Sequence, residues 1–302
     1  MSMSPVIPYA DRYARFSPEE LDRQYNARAT VPDITPIMQA YAQGSSAARQ
    51  AVPCQLGVPY GDHPDETLDI FPATRPGSPV FFFVHGGYWR MLSKDDSSFM
   101  APAFVEAGAA VVAVNYSLAP AVTLDHIVDQ CRRALAFVHR EAARYHIDPA
   151  RIHVSGSSAG GHLTGMLLAG GWHERYGVPE SVVHSATPIS GLFDLRPIPH
   201  ISVNAWVRMD EAAALRLSPE FHLPAKGCPI VVSCGETETQ EFARQSHDYL
   251  AAWQAHGFTG RFLAMPGTNH FDIILHLADP SSPLTAAVFE TMGLLRRTNP
   301  TR

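Results

Sequence analysis

The sequence predicts an α/β protein: one mostly parallel sheet of eight strands, flanked by helices. Two observations carry this expectation. Short apolar runs alternate along most of the chain with stretches whose apolar residues recur at three- and four-residue steps, the pattern of strands separated by covering helices. Hydrophobic residues make up 46% and charged residues 17% of 302 residues, enough to bury a large core and too few charges for a disordered chain.

Taken in order, the first 50 residues are polar, with helices expected around Pro18 to Gln24 and Pro36 to Gln43. They are expected to lie as a cover over the sheet edge or the site. Strands follow at Ala51 to Val58, Thr67 to Phe71 and Val80 to His85, the last led by the aromatic run "VFFF". A helix over Asp95 to Ala107 precedes a strand at Ala110 to Asn115. Thr123 to Tyr145 reads as a long helix because Leu124, Ile127, Val128, Cys131, Leu135 and Val138 form one apolar stripe. The strand Arg151 to Ser155 leads into a helix over Ala159 to Ala169, and a strand spans Val182 to Ser190. Residues 197–227, rich in Pro and His, form an irregular excursion that suits a small lid. The strand Pro229 to Ser233, a helix over Thr239 to Ala255, the strand Gly260 to Met265 and a helix over Pro283 to Arg297 complete a single domain of residues 1–302.

With 23 basic and 29 acidic residues the net charge is -6. That balance, without Lys/Arg clusters, offers neither a phosphate backbone nor an anionic membrane surface a footprint. The N-terminus lacks the basic start and apolar core of a secretory signal, and runs such as "PVFFFV" are far too short to span a bilayer. A cytoplasmic protein is expected. Cys54, Cys131, Cys228 and Cys234 show no zinc spacing. The last two flank a strand whose length, roughly 20 Å, is too great for a disulfide between them. No metal and no cofactor is expected, and a homodimer is left open.

The stretch "RIHVSGSSAGGHL", Arg151 to Leu163, crowds five small residues between a strand and a helix. Gly156-Ser157-Ser158-Ala159-Gly160 matches G-x-S-x-G. A sharp strand-to-helix turn there presents the Ser158 hydroxyl above the strand's carboxyl end and at a helix N-terminus. Acyl transfer also needs donors for an oxyanion. The paired glycines of "VHGGYW", Gly86 and Gly87, are suited to it together with the Ala159 N–H, while His85 is read as holding the turn. His270 in "PGTNHFDI" lies past the last strand and is the candidate general base. A carboxylate must fix its tautomer. Glu236, Glu238 and Glu241 compete, and Glu238, three residues past Gly235 and ahead of the helix, is preferred. Tyr88 and Trp89 are candidates for an aromatic wall against a substrate, with Trp172, Phe193 and Trp206 behind them.

Placed together, these pieces resemble the kynurenine formamidases, or arylformamidases, of the α/β-hydrolase fold. The resemblance covers nearly the whole chain: "DRQYNAR", "VPYGD", "LDIF", "HGGYW" with "SKDDSSFM", "TLDHIVDQ", "SGLFDLRPI", "LSPEF", "EFARQS" and "NHFDII". It implies a metal-free serine hydrolase that removes the formyl group from N-formyl-kynurenine, with Ser158 as nucleophile, Glu238 as acid and His270 as base. Two positions depart from the family pattern: Glu238 stands where Asp is usual, and Ser157 where His often precedes the nucleophile.

Two rival readings follow from the same residues. A broad carboxylesterase uses the same triad, and "NYSLAP" at Asn115 to Pro120 is similar to a run in the hormone-sensitive-lipase-like esterases. A binding protein on a hydrolase fold is the other, and it usually lacks the nucleophile or the base. In each catalytic reading the partner is a small aryl amide or ester.

Overall fold

A computed structural model of the chain describes residues 8–294. Eight strands form one sheet: β1 (Gln55–Pro59), β2 (Thr67–Phe71), β3 (Ser78–Val84), β4 (Ala110–Val114), β5 (Ile147–Ser157), β6 (Val183–Ile189), β7 (Ile230–Gly235) and β8 (Gly260–Met265). Their spatial order is β1-β2-β4-β3-β5-β6-β7-β8. β2 runs antiparallel to both β1 and β4, and every other pair is parallel. The sheet is therefore mostly parallel, as the sequence predicts.

All seven residues of β3 are buried, because helices cover both faces. Val80, Phe82 and Val84 pack with Leu135 and Leu163 on one side, while Phe81 and Phe83 pack with Phe104 and Val288 on the other. Each buried Phe contributes about 2 to 3 kcal/mol of transfer free energy.

The helices are α1 (Tyr9–Tyr13), α2 (Pro18–Gln24), α3 (Thr35–Ala51), α4 (Ala101–Glu106), α5 (Leu124–Arg140), α6 (Ala159–Leu168), α7 (Asn204–Val207), α8 (Glu211–Arg216), α9 (Gln240–Ala255) and α10 (Pro283–Met292). Several differ from the sequence reading for identifiable reasons. α3 runs past Gln43 to Ala51, through Gly44 and into the span expected to open a strand. A Cβ on Gly44 would lie 2.9 Å from the Phe99 Cβ, so this glycine permits close packing and does not end the helix. β1 accordingly starts only at Gln55.

The helix expected over Asp95 to Ala107 is a 3-10 turn at Lys94–Asp96 followed by the short α4. The hydroxyls of Ser97 and Ser98 donate to the carbonyls of Ser93 and Lys94, which favours a turn there. The single helix expected over Thr123 to Tyr145 stops at Arg140. A separate 3-10 turn, Ala142–Tyr145, ends on His146 at φ 61°. At the other end Thr123 caps α5, its side chain accepting from the His126 N–H. The last helix ends at Met292 with Gly293 at φ 67°, and residues 295–297 of the expected span lie outside the described residues.

The N-terminal helices pack over the carboxyl ends of the strands and are tied down by a buried ionic cluster. Arg12, from α1, pairs with Asp194 at 2.9 Å and Glu220 at 3.0 Å. Arg244, on α9, pairs with Glu241 at 2.6 Å and donates to the Tyr13 hydroxyl. Among the described residues no helix is long and apolar enough to cross a membrane.

Candidate active site

β5 ends at Ser157, and Ser158 then takes φ 57° and ψ -117°, a conformation rare outside glycine. Holding it costs about 1 to 3 kcal/mol, which the packing around it must outweigh. Backbone crowding explains the small neighbours. A Cβ on Gly156 would lie 2.4 Å from the Gly160 carbonyl oxygen, and one on Gly160 would lie 2.0 Å from that of Val84. The Ser158 N–H donates to Ile189 O, which ties the turn to the end of β6. α6 begins at Ala159, so the Ser158 side chain stands at its N-terminus.

His270 lies past the end of β8, and its Nδ1–H donates to Glu238 Oε2 at 2.5 Å. Glu238 follows β7. Its other oxygen, Oε1, accepts from the Ser190 hydroxyl and the Gly235 N–H, each at 2.6 Å. Burial pushes the Glu238 carboxyl up, but the adjacent His270 and the bonds from Ser190 and Gly235 outweigh burial and hold it below the usual carboxylate range. Of the three competing acids, only Glu238 touches His270. Glu236 accepts from the Gly267 N–H, and Glu241 is committed to Arg15, Arg244 and Tyr25.

Ser158 and His270 share the wall of one cavity of about 420 Å³. Gly86 and Gly87 line it as well. A Cβ on Gly86 would sit 2.8 Å from Ser157 O and 3.4 Å from the Ser158 Cβ, so a glycine lets this loop lie against the serine turn. Among the described residues the N–H groups of Gly86, Gly87 and Ala159 donate to no protein acceptor, which leaves them available to a ligand oxygen.

His85 is buried, stacked on Tyr116 with ring centroids 4.0 Å apart, and its Nδ1 lies 2.9 Å from Gly86 O. Burial lowers its pKa to about 4, which keeps it neutral inside the turn.

The expected aromatic wall needs correction. Tyr88 lines the cavity, and its hydroxyl donates to Tyr25 O. Trp89 does not line it. At φ 59° its indole turns into the core, fully buried, and donates to His162 Nδ1. His162 then carries its own proton on Nε2, donated to Leu217 O. Trp172 and Phe193 are likewise core residues.

Trp206, from the excursion between β6 and β7, does reach the cavity, with its Nε1 on Tyr88 O. Tyr25, Arg28, Met38 and Tyr41 line it from the N-terminal segment. Sequence reasoning missed Ser190, Arg28 and Arg90. Only Ser190, at the carboxyl end of the strand beside the serine turn, stood where position alone was a signal. Among the described residues no group of three or more His, Cys, Asp or Glu side chains is arranged to hold a metal ion.

The prolyl oligopeptidase family model matches residues 125–279, and the BD-FAE model matches residues 68–179. A kynurenine formamidase of Salmo salar is 34% identical over 93% of this chain and 99% of its own length. That of Danio rerio is 34% identical over 92% and 97%. Esterase LipQ of Mycobacterium tuberculosis is 28% identical, over 79% of this chain and 62% of that protein. A crystal structure from Silicibacter sp. TM1040, of a protein assigned to the thioesterases, superposes with a TM-score of 0.77 at 29% identity. It covers 89% of this chain and 98% of that one. The carboxylesterase EstE1, at 19% identity and a TM-score of 0.66 over 93% of this chain and 97% of its own, shares the fold. Sheet order, the strained serine turn and these matches make the chain a hydrolase of the α/β-hydrolase fold. Within that class it belongs to the kynurenine formamidase family.

Proposed function

We propose that this enzyme hydrolyses an aryl formamide, with N-formyl-kynurenine as the substrate and kynurenine and formate as products. The observation that carries the reading is the cavity. About 420 Å³ suits a single-ring substrate, and aromatic and aliphatic side chains wall it beside a serine and a histidine. The relatives that match over nearly their full length are formamidases, which supports the same substrate class.

In this mechanism Ser158 Oγ bonds to the formyl carbon as its proton passes to His270 Nε2. Glu238 holds the opposite ring nitrogen and stabilises the imidazolium. The N–H groups of Gly86, Gly87 and Ala159 take the oxyanion. The C–N bond then breaks, and His270 returns the proton to the aniline nitrogen. Water attacks the formyl-serine with His270 again as base, releasing formate. No metal or cofactor enters this scheme, so a chelator is expected to leave the rate unchanged.

The test is a panel of aryl formamides, acetamides and short-chain aryl esters, run on wild type and on Ser158→Ala. A higher kcat/KM for the formamide, lost in the variant, supports the proposal. The esterase relatives favour a carboxylesterase as the second reading, and a clear ester preference would install it. A cytoplasmic location and a homodimer are also proposed. The four cysteines are free, in keeping with a reducing compartment, and light scattering checks the dimer.

A further inference from the structure

The charged side chains on the cavity wall are two guanidiniums, Arg28 and Arg90, and one carboxylate, Asp22. In a mostly apolar cavity that set does not serve the acyl chemistry, which Ser158, His270 and Glu238 supply. It has the polarity of a zwitterion's counterpart. Neither arginine pairs with a carboxylate among the described residues. Arg28 commits Nη1 to the carbonyl of Val31.

Arg90 is held differently. Its guanidinium carbon Cζ lies over the Trp206 indole, 4.0 Å from the ring centroid, and Trp206 is itself pinned by its Nε1–H on Tyr88 O at 3.1 Å. Stacking engages the face of a guanidinium and leaves its edge donors free, in the fork that binds a carboxylate with two parallel bonds. On the same wall, Asp22 Oδ1 accepts from the Ser202 N–H at 2.6 Å, which orients the side chain and leaves its second oxygen open.

Resting on the aryl formamide reading above, we propose that Arg90, stacked on Trp206, is the specificity residue that binds the α-carboxylate of the substrate's amino-acid end, with Asp22 receiving the α-ammonium. The enzyme then selects zwitterionic aryl formamides over neutral ones of the same ring. Only the binding of the far end depends on this pair; the bonds made and broken at the formyl group are unchanged.

The test compares N-formyl-kynurenine with a neutral ortho-acyl formanilide lacking the amino-acid group, on wild type, Arg90→Gln and Arg90→Lys. Wild type is expected to prefer the zwitterion. Arg90→Gln lowers the ratio of the two kcat/KM values about 10- to 100-fold, the worth of charge-assisted hydrogen bonds, through KM, and Arg90→Lys recovers part of it. An unaltered ratio in Arg90→Gln overturns the proposal. So does an equal loss on both substrates, which is what a merely structural Arg90–Trp206 stack would produce. The α-carboxamide of N-formyl-kynurenine, given to unmodified enzyme, removes the charge without altering the protein. A KM equal to that of the parent compound also overturns the proposal, whether or not the variants fold. Failure of wild type to hydrolyse either formamide would instead defeat the aryl formamide reading itself.

Discussion

At the scale of single residues, the site depends on where one hydroxyl and one carboxylate are held. Under the proposed mechanism Ser158→Ala is expected to slow turnover roughly 10⁶-fold with little change in melting temperature, because the alanine keeps the strained backbone and loses only the hydroxyl. Steady-state rates beside thermal unfolding check both parts. Glu238→Gln replaces an acceptor of the His270 Nδ1–H by an amide able to hold the wrong tautomer. A loss of about 10⁴-fold in kcat is expected. Gly160→Ala would place a methyl group 2.0 Å from Val84 O, so both stability and activity should fall. Ser158 and His270 were legible because each is announced by its immediate neighbours, small residues in one case and a strand-end loop in the other. Glu238 was less so, since three glutamates share that loop and only the three-dimensional contact separates them. Arg28, Arg90 and Trp206 were illegible as a group: they come from separate segments and meet only when the chain folds over the cavity.

At the scale of elements, most strands were readable because apolar runs bounded by turns leave few alternatives. Helix limits were not, because local chemistry overrides periodicity. The Ser97 and Ser98 hydroxyls redirect the backbone before α4, and Gly44 serves packing inside α3. The clamp between the N-terminal helices and α9 was invisible in sequence, since its partners are separated by about two hundred residues. Arg12 is nearly buried, as are Asp194 and Glu220. Arg12→Ala leaves Glu220 buried without its cation, while Asp194 keeps its pair with Arg196, and a loss of about 3 to 5 kcal/mol in unfolding free energy is expected. Denaturant titration measures it. Because Tyr25 bonds to Glu241 and Gln245 within the same cluster and also lines the cavity, KM should rise in the variant even where the protein stays folded.

For the whole molecule, acid stability follows from imidazoles buried without charge. Burial lowers His85 and His162 to about 4 and His153 to about 3, in the last case with help from His184 and Arg151. In the unfolded chain these rings protonate near 6.5. Below that value the unfolded state binds more protons than the folded one, so stability declines as pH drops from about 6.5 toward 4. Each ring contributes up to roughly 1.4 kcal/mol per pH unit across that window. Chemical denaturation at pH 7.5, 6 and 5 should show the midpoint falling step by step, and a flat profile would contradict the burial of these rings. Activity should recover on returning from pH 5 if the loss is reversible unfolding.

The two oxygens of Glu238 have divided duties, one anchored to Ser190 and Gly235 and the other to His270. Such a side chain has a fixed reach. Shortening it by one methylene would break three bonds together unless the loop after β7 moved inward to compensate, so acid length and loop position must change as one unit. An attempt to transplant an aspartate from a relative into this scaffold should therefore fail alone and succeed when the neighbouring backbone travels with it.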